Sequence, residues 1–163
     1  MVYRKNNLVL LIILSVCSFC NSQQRIMYKQ IDSTKLYMEV YHPETIDSVK
    51  KKSAIVFFFG GGWNNGSIKQ FEAHAKYFSQ RGMVCFLVDY RVNKRHQTTP
   101  FESLKDAKTA IRYIRKHADA LGVDTSKIVA SGGSAGGHLA AATALIDNYN
   151  EHTDDLTISC IPN

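Results

Sequence analysis

The chain has 163 residues, of which 45% are hydrophobic, 21% charged and 10% aromatic; this ordinary globular composition excludes a disordered, collagen-like or disulfide-scaffold protein and allows about one domain. Lys and Arg number 20 against 14 Asp and Glu, a net charge of +6. Two of those cations, Arg4 and Lys5, belong to the leader described next and the rest are scattered apart from Lys50, Lys51 and Lys52, so without a basic stripe or a known module no nucleic-acid partner is expected.

Arg4 and Lys5 precede an apolar run from Leu8 to Val16, and Cys20 and Ser22 place small side chains at the two recognition positions of a cut after Ser22. A charged start, a short apolar core and a small-residue cleavage site make a secretory signal. The run is too short for a membrane span of about 20 residues. The expectation is a signal peptide over 1–22 and a mature domain over 23–163. It is secreted or periplasmic, with no stable membrane span after cleavage. A retained anchor is the alternative. Lipidation at Cys17 or Cys20 is disfavoured, because Val16 and Phe19 are poor neighbours for a lipoprotein cysteine. The mature chain keeps Cys85 and Cys160. Cys85, inside MVCFLV, reads as a small buried hydrophobe; two cysteines make no disulfide framework, and pairing between them is left open.

Two strands are predicted at 26–31 and 36–42, around a polar turn at Asp32, Ser33 and Thr34. In the second, Leu36, Met38 and Val40 alternate with Tyr37, Glu39 and Tyr41, the period of a half-buried strand. Residues 44–52 form a polar loop. The run 53–59, SAIVFFF, is a strand buried on both faces, and Gly60, Gly61 and Gly62 follow it. Ser67 starts a helix, with Gln70 completing a capping box, and Gly82 stops it. Residues 83–88 are another buried strand. Thr99, Pro100 and Glu102 are a second helix start. That helix runs to about Leu121 on an apolar stripe of Phe101, Leu104, Ala107, Ile111, Ile114, Ala118 and Leu121. A short strand at 127–131 and a small-residue helix at 135–146 close the series. Two strands followed by three strand–helix units imply an α/β fold with a mostly parallel sheet.

Gly132, Ser134 and Gly136 fall between that last strand and helix. The spacing G-x-S-x-G is the nucleophile elbow, a sharp turn that projects the serine hydroxyl at the carboxyl end of the sheet. The helix that starts just after it favours negative charge beside the serine. Gly60, Gly61 and Gly62 close an earlier parallel strand, and glycines there let backbone N–H groups reach a carbonyl oxygen. A glycine-rich phosphate-binding turn is the competing reading of the elbow alone; the two clusters together point to a hydrolase site.

On FFFGGGWNNGS, VDYR and VASGGSAGGHLAA, from about residue 28 onward, the chain resembles α/β-hydrolase esterases and lipases of the hormone-sensitive-lipase and acetyl-esterase kind. The resemblance implies a three-layer sandwich with Ser134 as nucleophile. It places the oxyanion donors at the N–H groups of Ala135, Gly61 and Gly62. The substrate it implies is a small-molecule or polysaccharide ester, with acetylated or feruloylated plant polysaccharide typical of secreted members, and no cofactor or metal. Phe59 stands where the family usually has His, which bears on how firmly the glycine loop is held rather than on the donors.

In this fold the acid and the histidine of the triad follow the serine. Asp147, Glu151, His152, Asp154 and Asp155 follow Ser134, but on or just past the next helix. His138 is one turn into that helix and directed away from the base position. His42, His74, His96 and His117 precede the elbow, and none of the histidines shows metal-ligand spacing. The expectation is therefore an amino-terminal part of an esterase, inactive by itself, with the carboxyl-terminal strands of the sheet missing. An arylformamidase-like amide hydrolase is the alternative within enzymes, and a non-catalytic remnant of the same scaffold the alternative outside them. Asn65-Gly66-Ser67 matches a glycosylation triplet but lies in the glycine loop and carries little weight.

Overall fold

A computed structural model of the chain describes residues 23–44 and 50–163. The expected leader at 1–22 lies outside the described residues, as do 45–49 of the polar loop. Strands β1 (Gln24–Ile31) and β2 (Thr34–Tyr41) form an antiparallel hairpin. Its turn is only Asp32 and Ser33, because Asp32 takes φ 49, a left-handed conformation that Asp tolerates better than most residues. Thr34 therefore joins the strand and pairs with Ile31. Leu36, Met38 and Val40 of β2 are fully buried, and Tyr37 and Glu39 are half-buried, the alternation the sequence predicts.

The remaining strands are β3 (Lys52–Phe58), β4 (Val84–Val88) and β5 (Val123–Gly132). The sheet order is β1-β2-β4-β3-β5. β2 meets β4 antiparallel, while β4, β3 and β5 run parallel. Alternate residues of β3 enter different cores. Ala54, Val56 and Phe58 pack with Leu104, Ile111 and Leu139 from helices α3 (Pro100–Lys116) and α5 (Ala135–Leu145). Ile55 and Phe57 pack on the other side with Ala75 of α1 (Glu72–Ser79), Phe71 and Phe78. Both faces of β3 and β4 are thus covered, which is why these strands read as unbroken apolar runs. The result is the three-layer α/β sandwich.

Three expectations are corrected. β5, expected at 127–131, starts earlier, at Val123, because Val123 pairs with Lys52; it is the edge strand of the described sheet, and Val129 on it is 43% exposed. The helix expected from Thr99 to Leu121 bends at His117 (φ −105, ψ 19) into α3 and α4 (Ala118–Leu121), and Ala118 and Leu121 stay in the core. Phe101 leaves the predicted stripe: it is 51% exposed and stacks on Tyr149 at 4.5 Å. The start signals hold for α3, where the Thr99–Glu102 capping box closes in both directions. Both described cysteines are free and buried, and burial pushes the Cys85 thiol up to about 12.

A buried ionic cluster joins β1, the strand end after β4, α3 and the segment after α5. Asp106, with no exposed surface, accepts from Lys29 at 2.7 Å and Arg91 at 2.8 Å; Glu151 bridges both cations at 3.0 Å.

Candidate active site

β5 ends at Gly132 and α5 starts at Ala135, so the whole turn is Gly133 and Ser134. Ser134 takes φ 50 and ψ −121, a conformation that persists in a non-glycine residue only when its surroundings impose it. The surroundings here are backbone. A Cβ on Gly136 would lie 2.0 Å from the Phe58 carbonyl oxygen, and one on Gly132 would lie 2.5 Å from the same oxygen. The elbow glycines are therefore demanded by contact between the start of α5, the end of β5 and the end of β3. Ser134 itself is exposed. The first turn of α5 leaves N–H groups without intrahelical acceptors beside it.

The second glycine cluster reaches the first. A Cβ on Gly60 would lie 2.8 Å from the Gly133 carbonyl oxygen and 3.4 Å from the Ser134 Cβ. Gly61 (φ 139) opens a tight turn in which its carbonyl accepts from Asn64 N–H at 3.1 Å and Asn65 N–H at 3.2 Å. A Cβ on Gly62 would meet nothing within 4 Å, so its surroundings are open. The structure thus brings Ser134, Ala135 and the loop of Gly61 and Gly62 into one place at the carboxyl ends of β3 and β5.

Phe59 is almost fully buried and its ring stacks on Tyr90 at 4.0 Å, while the Tyr90 hydroxyl donates to the Phe59 carbonyl at 2.5 Å. Burial pushes the Tyr90 phenol well above its usual range, with Asp89 adding to the shift against Arg95, so the hydroxyl stays a donor. Farther along, α2 (Asn93–His96), a turn the sequence did not announce, donates Asn93 N–H to the Trp63 carbonyl at 2.8 Å and Lys94 N–H to the Asn64 carbonyl at 2.9 Å. With Phe in place of the family His, an aromatic stack and this latch hold the loop. Tyr90 lies within the VDYR segment, and its role had no signal beyond that resemblance.

All six histidines lie among the described residues, and no imidazole is hydrogen-bonded to the Ser134 hydroxyl; His138 meets Ser134 through the backbone alone, its N–H donating to the Ser134 carbonyl at 3.0 Å. His42 is half-buried and burial lowers its pKa. His74 packs by Phe71 at 5.2 Å. The Nδ1 of His96 accepts from Val92 N–H at 3.1 Å, and burial, then Arg95, lowers its pKa. His117 lies on Tyr113 at 4.3 Å, His138 stands edge-on to Trp63 at 5.4 Å, and His152 lies 3.4 Å from Glu151. Three of the four acids past α5 have side-chain partners as well. Glu151 belongs to the buried cluster, Asp154 binds Arg112 and Thr109 at 2.8 Å, and Asp155 accepts from Thr157. Among the described residues no group of three His, Cys, Asp or Glu side chains could hold a metal ion, and no helix is long and apolar enough to cross a membrane.

The profile described as BD-FAE matches residues 38–160. Esterase LipC of Mycobacterium tuberculosis is 31% identical over 136 residues, which are 82% of this chain and 32% of that protein. An arylesterase of Saccharolobus solfataricus is 30% identical over 132 residues, 79% of this chain and 41% of that one. Among solved structures, Thermogutta terrifontis esterase 2 phosphonylated by cyclosarin superposes with a TM-score of 0.84 at 46% identity, covering 87% of this chain and 54% of that one. The propionate-bound form of the same organism's esterase gives 0.83 at 48%, covering 86% and 52%. The chain spans about half of these solved structures and a third to two-fifths of the two curated relatives.

Proposed function

The chain belongs to the BD-FAE family of α/β-hydrolase proteins, and from that we propose that it carries the nucleophile and oxyanion loop of a serine hydrolase of carboxylic esters. The observation that carries the reading is the strained Ser134 (φ 50) with Gly60 of the glycine loop packed against it. The Ser134 hydroxyl attacks the ester carbonyl. The N–H groups of Ala135, Gly61 and Gly62 hold the oxyanion, the alcohol leaves, and water releases the acyl group from the serine. A serine hydroxyl needs an adjacent base. The reading assigns that base and its acid to polypeptide that follows Asn163, the chain order of this fold.

The reactivity of the Thermogutta terrifontis esterase toward cyclosarin supports a phosphonylatable serine here, and its propionate-bound form supports a short acyl group. Acetyl or feruloyl groups on plant polysaccharide, met after export, are the finer substrate reading. It rests on the leader-like residues 1–22 and on the segment Ser134-Ala135-Gly136-Gly137-His138-Leu139. The test uses the full-length protein with acetyl, butyryl and feruloyl esters and a fluorophosphonate probe. Ser134-dependent labelling together with preference for the short esters supports the reading; labelling that persists in Ser134→Ala overturns it. Export is read separately: amino-terminal sequencing of secreted material is expected to begin at Gln23, and a mature protein beginning at Met1 refutes the signal.

A further inference from the structure

We propose that Gln70 is a positioning residue for the oxyanion loop, a role that rests on the reading of Ser134 as nucleophile. From its spacing to Ser67, Gln70 is expected to reach back and cap its own helix. The side chain goes elsewhere. Its Oε1 accepts the Gly60 N–H at 2.5 Å. Only the other half of the box forms, with Ser67 Oγ accepting from Lys69 N–H at 3.3 Å.

Gly60 is where this bond has leverage. It is the residue whose backbone abuts Gly133 and the Ser134 Cβ, and it immediately precedes the two glycines assigned as donors. The peptide before it is held on the carbonyl side by the Tyr90 hydroxyl and on the N–H side by Gln70. Removing the second hold leaves a partly buried N–H without an acceptor, a cost that rotation of the peptide would relieve. Rotation there re-aims the N–H groups of Gly61 and Gly62.

Gln70 is itself well anchored. Its N–H donates to the Ser67 carbonyl at 3.1 Å. The next residue, Phe71, stacks on Phe57 at 5.2 Å, and its ring lies 3.4 Å from where a Gly133 Cβ would be. A single short segment thus touches both glycine clusters, one through a hydrogen bond and the other through a ring.

The test compares Gln70→Met, which keeps the length and loses the acceptor, Gln70→Glu, which keeps an acceptor, and Ser67→Ala, which removes only the turn cap. Two quantities are read in the full-length protein: hydrogen exchange at Gly60, and kcat and KM on p-nitrophenyl acetate. In Gln70→Met, Gly60 exchange is expected to accelerate and kcat to fall about ten- to a hundredfold with KM nearly unchanged, less than the roughly 10²–10³ for losing an oxyanion donor outright. Gln70→Glu is expected to restore Gly60 protection, and Ser67→Ala to match the parent in both. Unchanged exchange in Gln70→Met overturns the hydrogen bond. Faster exchange with unchanged kcat, or an equal loss of kcat in Ser67→Ala, overturns the positioning role. A parent that fails to label with fluorophosphonate at Ser134 overturns the hydrolase reading instead, whatever Gly60 exchange shows.

Discussion

Ser134 and the glycines around it show how much a short motif depends on contact with a distant strand. In the proposed reaction the Ser134 hydroxyl is the attacking group, and Ser134→Ala in the full-length protein is expected to abolish fluorophosphonate labelling. The loss in kcat should be on the order of 10⁶, the size seen when a serine hydrolase loses its nucleophile. Gly136 is needed for a different reason. An alanine there would put its Cβ 2.0 Å from the Phe58 carbonyl oxygen, and backbone cannot yield as a side-chain tip can. Gly136→Ala should destabilise by about 1–3 kcal/mol or more, read as a lower urea midpoint with the slope unchanged. A midpoint equal to the parent's would mean that α5 and β3 are farther apart than this structure has them.

Between elements, two kinds of polar contact hold the helices on the sheet, and they differ in strength. The Thr99 cap is local and exposed: its hydroxyl accepts from Phe101 N–H at 3.3 Å, and Glu102 accepts from Thr99 N–H at 2.9 Å. Thr99→Ala should cost about 1 kcal/mol. Asp106 is long-range and fully buried between Lys29 and Arg91. Asp106→Ala leaves two cations near each other without it, and about 3–5 kcal/mol is expected. Denaturant titration of the two variants side by side tests the ranking. Glu151 adds a pH dependence. Burial alone would raise its pKa, but the hydrogen bond and charge of Lys29, with Arg91 and Lys105, outweigh burial and hold it at about 2 against an ordinary 4.5. A depressed folded pKa means that Glu151 stabilises the fold above about pH 4.5, and that this contribution is lost as pH falls toward 2. The parent should therefore lose its stability advantage over Glu151→Gln across that interval. An advantage that is constant with pH would show that the carboxylate does not titrate with folding.

At the scale of the molecule, the elbow stands on the edge strand of the described sheet. One side of β5 is backed by β3, while on the other the described pairing is slight, with Asn163 N–H donating to the Ile128 carbonyl at 2.8 Å. Val129 and Ile161 are 43% and 48% exposed, and Leu145 and Leu156 are 80% and 64%. Exposed apolar side chains and an open strand edge both invite association, and the Ser134 hydroxyl has no base bonded to it among the described residues. Purified residues 23–163 are expected to bind hydrophobic dyes or aggregate and to hydrolyse no p-nitrophenyl acetate above background. A soluble monomer with Ser134-dependent turnover would overturn both arguments.

Local patterns in the sequence were enough for the alternation of β2, the buried runs of β3 and β4, the Thr99 helix start and the strand–elbow–helix unit around Ser134, because each is written in neighbouring residues. Periodicity, capping chemistry and glycine spacing all act within a few positions. What only the tertiary structure decided involves partners far apart in the chain. Gln70 could satisfy either its own turn or Gly60, and the fold brings Gly60 to it. Phe59 could not be read as a brace until Tyr90, thirty-one residues on, lay beneath its ring. β5 was legible only over 127–131, because its start at Val123 depends on pairing with Lys52, seventy-one residues earlier, and local composition carries no record of that partner.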